Sequence, residues 1–478
     1  MKILLWLLGI IVVLFTFIYT ITFTSYGNAL VLPGIESQIL KQTKMNSKLL
    51  KYKLSMSDFE ILLELNENNT IHVYGNYSLF TKAFNINYEA DFKELSTLEP
   101  LLGKKLNGTS YSHGNVVGDI SNITIVGTSR VAYGNTSYKI NLVDLKLKSL
   151  VSHTKNLDLA SLAIMLGEKA YINARVDVDV NLSNLTRHEL LGSLSVVSSH
   201  ASFNKALVRK HLGISLPKNS SFKFKSTSEF KGDEVLSKIA FTSKLVDLKA
   251  KKFTYNLEMK SYESDYKLYI ASLNNLYFLT SKKIKGDLSA NGVLSYKKHL
   301  DISAFCKVAD AIVVANLHNT KLVADIKVKE TLKTLDKLYY PKIIKASLDA
   351  RLDFDISNQH GKLKSKIKDG VFNKNKFFKL VKDYAGINMY KEIFVGTLNA
   401  KLDKTNYLID VDLFSDNTAI STKKAKLNTQ SKRIDALLNL EAHSNSIDVR
   451  LRGDVAKPEI QIQMKNLMIN KLLNKYLK

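Results

Sequence analysis

The sequence predicts a mainly β protein: an elongated antiparallel β-sheet curled into a groove, with short amphipathic helices and an N-terminal transmembrane helix. Three observations predict it. Apolar and polar residues alternate with period two through most of the chain, the signature of strands with one apolar and one wet face. Gly/Asn turn signals divide these runs. Six times, a short leucine-rich segment runs straight into an alternating strand.

The first element is the apolar run Ile3–Phe23, about 21 residues and long enough to span a bilayer as a helix. No small-x-small cleavage pattern stands out before Tyr26. Residues 1–25 are therefore read as an uncleaved anchor, with removal as a signal peptide the alternative. The run Val31-Leu32-Pro33-Gly34 is expected to break the helix.

Residues 26–465 form the second region. In Ala174–Leu182, the residues Ala174, Val176, Val178, Val180 and Leu182 share one face, while Arg175, Asp177, Asp179 and Asn181 take the other. Leu348, Ala350, Leu352, Phe354 and Ile356 repeat the pattern against Asp349, Arg351, Asp353 and Asp355. Val411 and Leu413 follow, then Val449 and Leu451. Expected turns fall at Gly75-Asn76, Gly108, Gly114-Asn115, Gly134-Asn135 and Asn291-Gly292.

The leucine-rich copies begin near Leu95, Leu159, Leu207, Leu273, Leu332 and Phe377, without a fixed period. A repeated unit of this kind points to a quasi-one-dimensional stack. The segments are too short and too few to roof every strand. Either a second sheet covers the apolar face, as in a sandwich, or the sheet curls and leaves a slot along its length. Roughly 25 strands at about 4.8 Å each would make a trough on the order of 120 Å long. The stripe Phe377, Leu380, Val381 and Tyr384 reads as a local plug or as a lid over that slot.

Residues 466–478 read as an amphipathic helix, with Leu467, Leu472 and Tyr476 apolar and Lys471 and Lys475 on a basic stripe. It would dock on a membrane or partner, or cap the end of the sheet.

Composition narrows the function. Hydrophobic residues make up 45% of 478, enough for a folded core, and prolines number only 5, so no proline-rich linker divides the chain. The formal charge is +25, but the lysines are spread singly between apolar residues, as on solvated strand faces. Nucleic-acid binding would call for clustered basic residues with interleaved aromatics. Cys306, the one cysteine, shares a strand face with Leu300, Ile302, Ala304 and Val308 and is expected to fill space. No His-Glu-x-x-His pair, phosphate loop or Gly-x-Ser-x-Gly elbow occurs. Ser365 and Lys368 match Ser-x-x-Lys without its companion motifs, and His188-Glu189 is the nearest acid–base neighbour pair. No enzyme activity, cofactor or metal is expected.

The anchor is followed by residues 102–108 (LGKKLNG), then 284–292 (IKGDLSANG) and 451–460 (LRGDVAKPEI). In this order, with the alternating strands, the chain resembles the AsmA-like superfamily of bacterial envelope proteins, which includes TamB-type relatives. The resemblance implies a repeating β-groove protein fixed in the inner membrane, with its bulk in the periplasm, aiding phospholipid transport toward the outer membrane and envelope integrity. The groove would be lined by the faces named above. Implied partners are phospholipid, the inner membrane, and an outer-membrane barrel or a second copy. A scaffold for outer-membrane protein assembly is the alternative.

Overall fold

The computed structural model describes residues 24–464, except 67, 187, 219, 281–282, 309, 376–377, 380–381, 384–387 and 443–444. The expected anchor Ile3–Phe23, the stripe Phe377, Leu380, Val381 and Tyr384, and the C-terminal helix with Leu467, Lys471, Leu472, Lys475 and Tyr476 lie outside the described residues. Among the described residues, no helix is long and apolar enough to cross a membrane.

The protein is mainly β: 61% of it is strand, in one long antiparallel sheet that does not close, and 15% is helical. Among the described residues there are twenty-six strands, from Ser47–Leu54 to Lys457–Met464. The chain divides into two compact units, Met1–Ser243 with Asn256–Glu258, and Lys244–Tyr255 with Met259–Lys478.

Within each unit, sequential strands pair as hairpins, so alternate connections fall on opposite edges of the sheet. The helical segments keep to one edge. In the first unit they are Leu95–Leu98 running into Glu99–Leu102, then Leu159–Met165 and Lys205–Leu212. An even number of strands separates each from the next, which returns the chain to the same edge. In the second unit Leu273–Leu276 with Tyr277–Thr280, Thr331–Lys337 and Met389–Lys391 follow the same parity. Opposite this helix-bearing edge lies an edge of short turns.

These segments form because capping residues stand where the strands end. Asp158 accepts a hydrogen bond from Ser161 N at 2.7 Å, and Asn204 from Leu207 N at 3.2 Å, satisfying N–H groups the helix start leaves free. Gly213 ends the second of these helices in the left-handed region. Each segment then bonds to the next. Asn107 donates to Met165 O at 2.9 Å, and Asn204 N to Tyr171 O at 2.8 Å. In the second unit Lys285 N donates to Lys337 O and Asn373 N to Ile343 O, both at 2.9 Å. This is the nearest-neighbour coupling of a repeat stack.

Two sequence expectations are corrected. Pro33 lies inside a helix, Ser25–Thr43, rather than ending one. Proline removes one ladder bond, and tertiary contacts offset that loss: Glu36 Oε1 accepts from Leu49 N at 2.7 Å, Asn28 Nδ2 donates to Leu54 O at 3.2 Å, and Ile39 packs against a buried cluster that includes Met45 and Leu65. The expected turns at Gly75-Asn76, Gly114-Asn115 and Asn291-Gly292 are strand interiors, and Gly134-Asn135 opens a strand. Tight turns are instead made by Ala132-Tyr133 and Asp144-Leu145, each with two positive φ values as a type I′ turn demands.

Candidate functional site: the apolar face

Alternation places the predicted face residues as expected in the middle of the strands. Along Ile172–Asn184, Val176 is 2% exposed and Val178, Val180 and Leu182 are half-buried, while Arg175, Asp177, Asp179 and Asn181 are exposed. Along Ile344–Asp355, Leu348, Leu352 and Phe354 are half-buried on the face that buries Ala346 and Ala350. Ile356 departs from the pattern. It lies past the strand end, 47% exposed, because the chain turns there and its N–H bonds Thr320 O at 2.8 Å. Leu413 and Val449 are buried, with Val411 and Leu451 packed beside them.

The structure does not bring all these residues together. Val176 and Val178 belong to a cluster in the first unit with Ala174, Ala201 and Phe222. Leu348, Val411, Leu413, Val449 and Leu451 belong to a cluster in the second, around Phe394 and Met389, both 0% exposed. Both clusters sit at the helix-bearing edge. Ala174 and Val176 open their strand there, Ala201 closes the next, and Phe394, Ile420 and Ile447 open theirs. The helical segments thus roof one edge of the apolar face, and removing that area from water stabilises the fold at about 25 cal/mol per Å².

Away from that edge the face is only partly covered: Gly292, Ala304, Ala315, Leu352 and Phe354 are half-exposed, while Ala324 and Ala400 are buried. Register in the second unit sets Gly292 opposite Ala304, Ala304 opposite Ala315, and Ala315 opposite Ala324. These four small residues cross four strands at one level, so they make a shallow furrow perpendicular to the strands. Leu352 and Leu363 continue the row, followed by Ala400. Cys306 lies one row nearer the helix-bearing edge, half-buried between Ala290 and Val313, and burial pushes its thiol pKa up. Tyr266 pairs with Gly292 and donates its hydroxyl to Ser303 O at 2.9 Å; burial raises its pKa. Sequence reasoning missed this row, since Ala is neutral to pattern and only register aligns it.

The first unit carries a polar spot on its apolar face. Tyr88 and Tyr138 flank Gly114 and Gly127 at one level, and their hydroxyls hydrogen-bond to each other. Ser112 Oγ joins them at 2.6 Å from the Tyr138 hydroxyl. Further along, Ser228 and Ser237 bond at 2.7 Å. Each hydroxyl is satisfied by a neighbour, so the face stays neutral.

The wet face is charged and solvated. Asp349 pairs Lys368 at 3.1 Å and Asp325 pairs Arg351 at 3.6 Å, exposed contacts that each contribute about 0–1 kcal/mol. An open cleft of about 540 Å³ near the turn edge is rimmed by charged residues such as Lys401, Asp435 and Arg452, with Tyr407, Leu408 and Leu427 also in its lining.

His188, Asp233 and Glu258 gather on neighbouring turns of the first unit with ligand atoms within 4.8 Å of one another. His188 Nδ1 lies 2.8 Å from Asp233, yet similar exposed pairs occur at His153–Asp179, His318–Asp301 and His360–Asp403. Ser365 is 5% exposed and donates to Leu398 O, whereas Lys368 reaches Asp349 on the wet face, so the Ser-x-x-Lys match is not a catalytic pair.

No protein-family model, curated protein or solved structure matches this chain. What fold and face together define is a long antiparallel sheet that does not close, with a helix-bearing edge in each unit.

Proposed function

We propose that this protein binds lipid acyl chains along the apolar face of a curled β-groove and aids phospholipid transport from an inner membrane toward the outer membrane, without catalysis. The observation that carries this reading is the incomplete cover of that face. Beyond the roofed edge, the row Gly292, Ala304 and Ala315 and the neighbours Leu352 and Phe354 keep part of their surface open, across strands whose other face is charged. A folded sheet leaves such a face unsealed at a cost in hydration, unless something apolar lies on it. An acyl chain suits it, because it needs no hydrogen-bond partners and can lie across strands over small residues. The charged headgroup would stay in water.

Curling is supported by contacts between distant strands. Lys432, in the turn after the strand Thr418–Asn428 on the turn edge, donates its Nζ to Tyr339 O at 3.0 Å, just before the strand Ile344–Asp355 at the helix-bearing edge. Strands twisting by roughly 20–25° each would bring such ends across from one another.

In this reading, residues 1–25 anchor the chain in the inner membrane and the remainder lies in the periplasm. The resemblance to AsmA-like proteins points the same way. Direction and energy would come from elsewhere, as the sequence has no phosphate-binding loop. Mass spectrometry of the detergent-extracted protein tests it. Phospholipid should co-purify at about one or more per chain, and a protein free of lipid after extraction from lipid-replete membranes would refute the proposal.

A further inference from the structure

We propose that Lys432 and the Tyr339–Tyr340 pair form a clasp that gates entry to the apolar face of the second unit. This rests on the lipid reading above and adds a moving part to it.

Tyr339 and Tyr340 follow the helix Thr331–Lys337 at the helix-bearing edge. Lys432 belongs to the turn joining Thr418–Asn428 to Arg433–Ala442, on the turn edge. The register rows set those two edges at opposite ends of the strands, yet Lys432 Nζ donates to Tyr339 O at 3.0 Å. The same ammonium lies 5.8 Å from the Tyr339 ring centre and 5.1 Å from that of Tyr340. One side chain therefore fastens the connection before Ile344 to a hairpin several strands later.

The two sides are held independently. Asp336 pairs Lys342 at 3.1 Å and Lys285 at 3.4 Å, and Lys285 also lies 4.8 Å from the Tyr339 ring centre. On the other side Lys432 O accepts from Val455 N at 2.9 Å. Letting go of Lys432 would release one side from the other while leaving both folded. A single long, half-buried lysine side chain, held by one carbonyl and two ring faces, is a weak, reversible fastening, suited to a gate rather than a permanent weld. Passage of a headgroup-bearing lipid onto or off the furrow would require it to open.

Cys306 supplies a readout that needs no lipid. It is the only cysteine and lies on the same apolar face, half-buried. In the full-length protein, K432M should speed maleimide labelling of Cys306 about three- to tenfold, whereas K432R, which keeps both the cation and the stacking, should label at the wild-type rate. Circular dichroism should show the same strand signal in all three. In a C306S background, bridging Y339C to K432C with a short bis-maleimide should slow uptake of fluorescent phospholipid from vesicles at least tenfold relative to the unbridged protein. Unchanged Cys306 labelling in a folded K432M, or normal uptake by fully bridged protein, would overturn the clasp. If labelling responds but neither form takes up lipid, the clasp stands and the lipid reading fails.

Discussion

The hydroxyls of Tyr88 and Tyr138 meet above two intervening strands because Gly114 and Gly127 stand at their level. A Cβ at Gly127 would lie 2.5 Å from the Tyr88 hydroxyl and 2.8 Å from that of Tyr138; one at Gly114 would lie 2.3 Å from Val126 O. Glycine inside a strand often marks such a close approach. Gly114→Ala should therefore destabilise the first unit by about 1–3 kcal/mol, despite the better strand propensity of alanine. A urea midpoint equal to that of the wild type would contradict the packing described.

The same pair sets a pH dependence. Burial first, then the hydrogen bond with Tyr138, pushes the Tyr88 hydroxyl from 10.0 up to about 12. The fold thus favours the protonated form. Its contribution is fully present below about pH 10 and is lost as pH rises toward about 12. Denaturation at about pH 9 and about pH 11.5 should show a drop in stability that Tyr88→Phe reduces. An equal drop in the variant would place the cause elsewhere.

Much of this architecture was legible in the sequence. Period-two alternation found the face of Val176, Val178 and Val180 because one wet side forces it. Leucine-rich segments marked the helical connections, since those residues cover the roofed edge. Glycine misled, because the pattern cannot tell a turn from a strand residue beneath an aromatic ring, as at Gly114 and Gly292. The row Gly292, Ala304, Ala315 and Ala324 and the Lys432–Tyr339 contact were hidden for another reason: both depend on register and on contacts between residues far apart in sequence.

The roofed edge and the open face should respond differently to truncation. Phe394 is 0% exposed among Phe372, Met389 and Leu413, so Phe394→Ala should cost about 3–5 kcal/mol. Val180→Ala, on the half-exposed part of the face, should cost under about 1 kcal/mol. Comparable losses at both sites, measured by denaturant titration, would mean the face is sealed throughout.

Charge placed on the face should stop lipid without unfolding the protein. Val180→Asp and Phe354→Asp each put a carboxylate where an acyl tail would lie, at half-buried sites where water can still reach it. The double variant should keep its strand signal and lose most phospholipid co-purification. Normal lipid content in the folded double variant would count against acyl chains using these positions.

The central claim is that acyl tails lie on the apolar face, and site-specific photocrosslinking tests it most directly. A photoreactive residue at Ala304 or Leu352, on the apolar face, should capture phospholipid in cells, while one at Ser303 or Asp353, the outward neighbours, should not. Equal capture on both faces, or none at Ala304 and Leu352, would contradict the account.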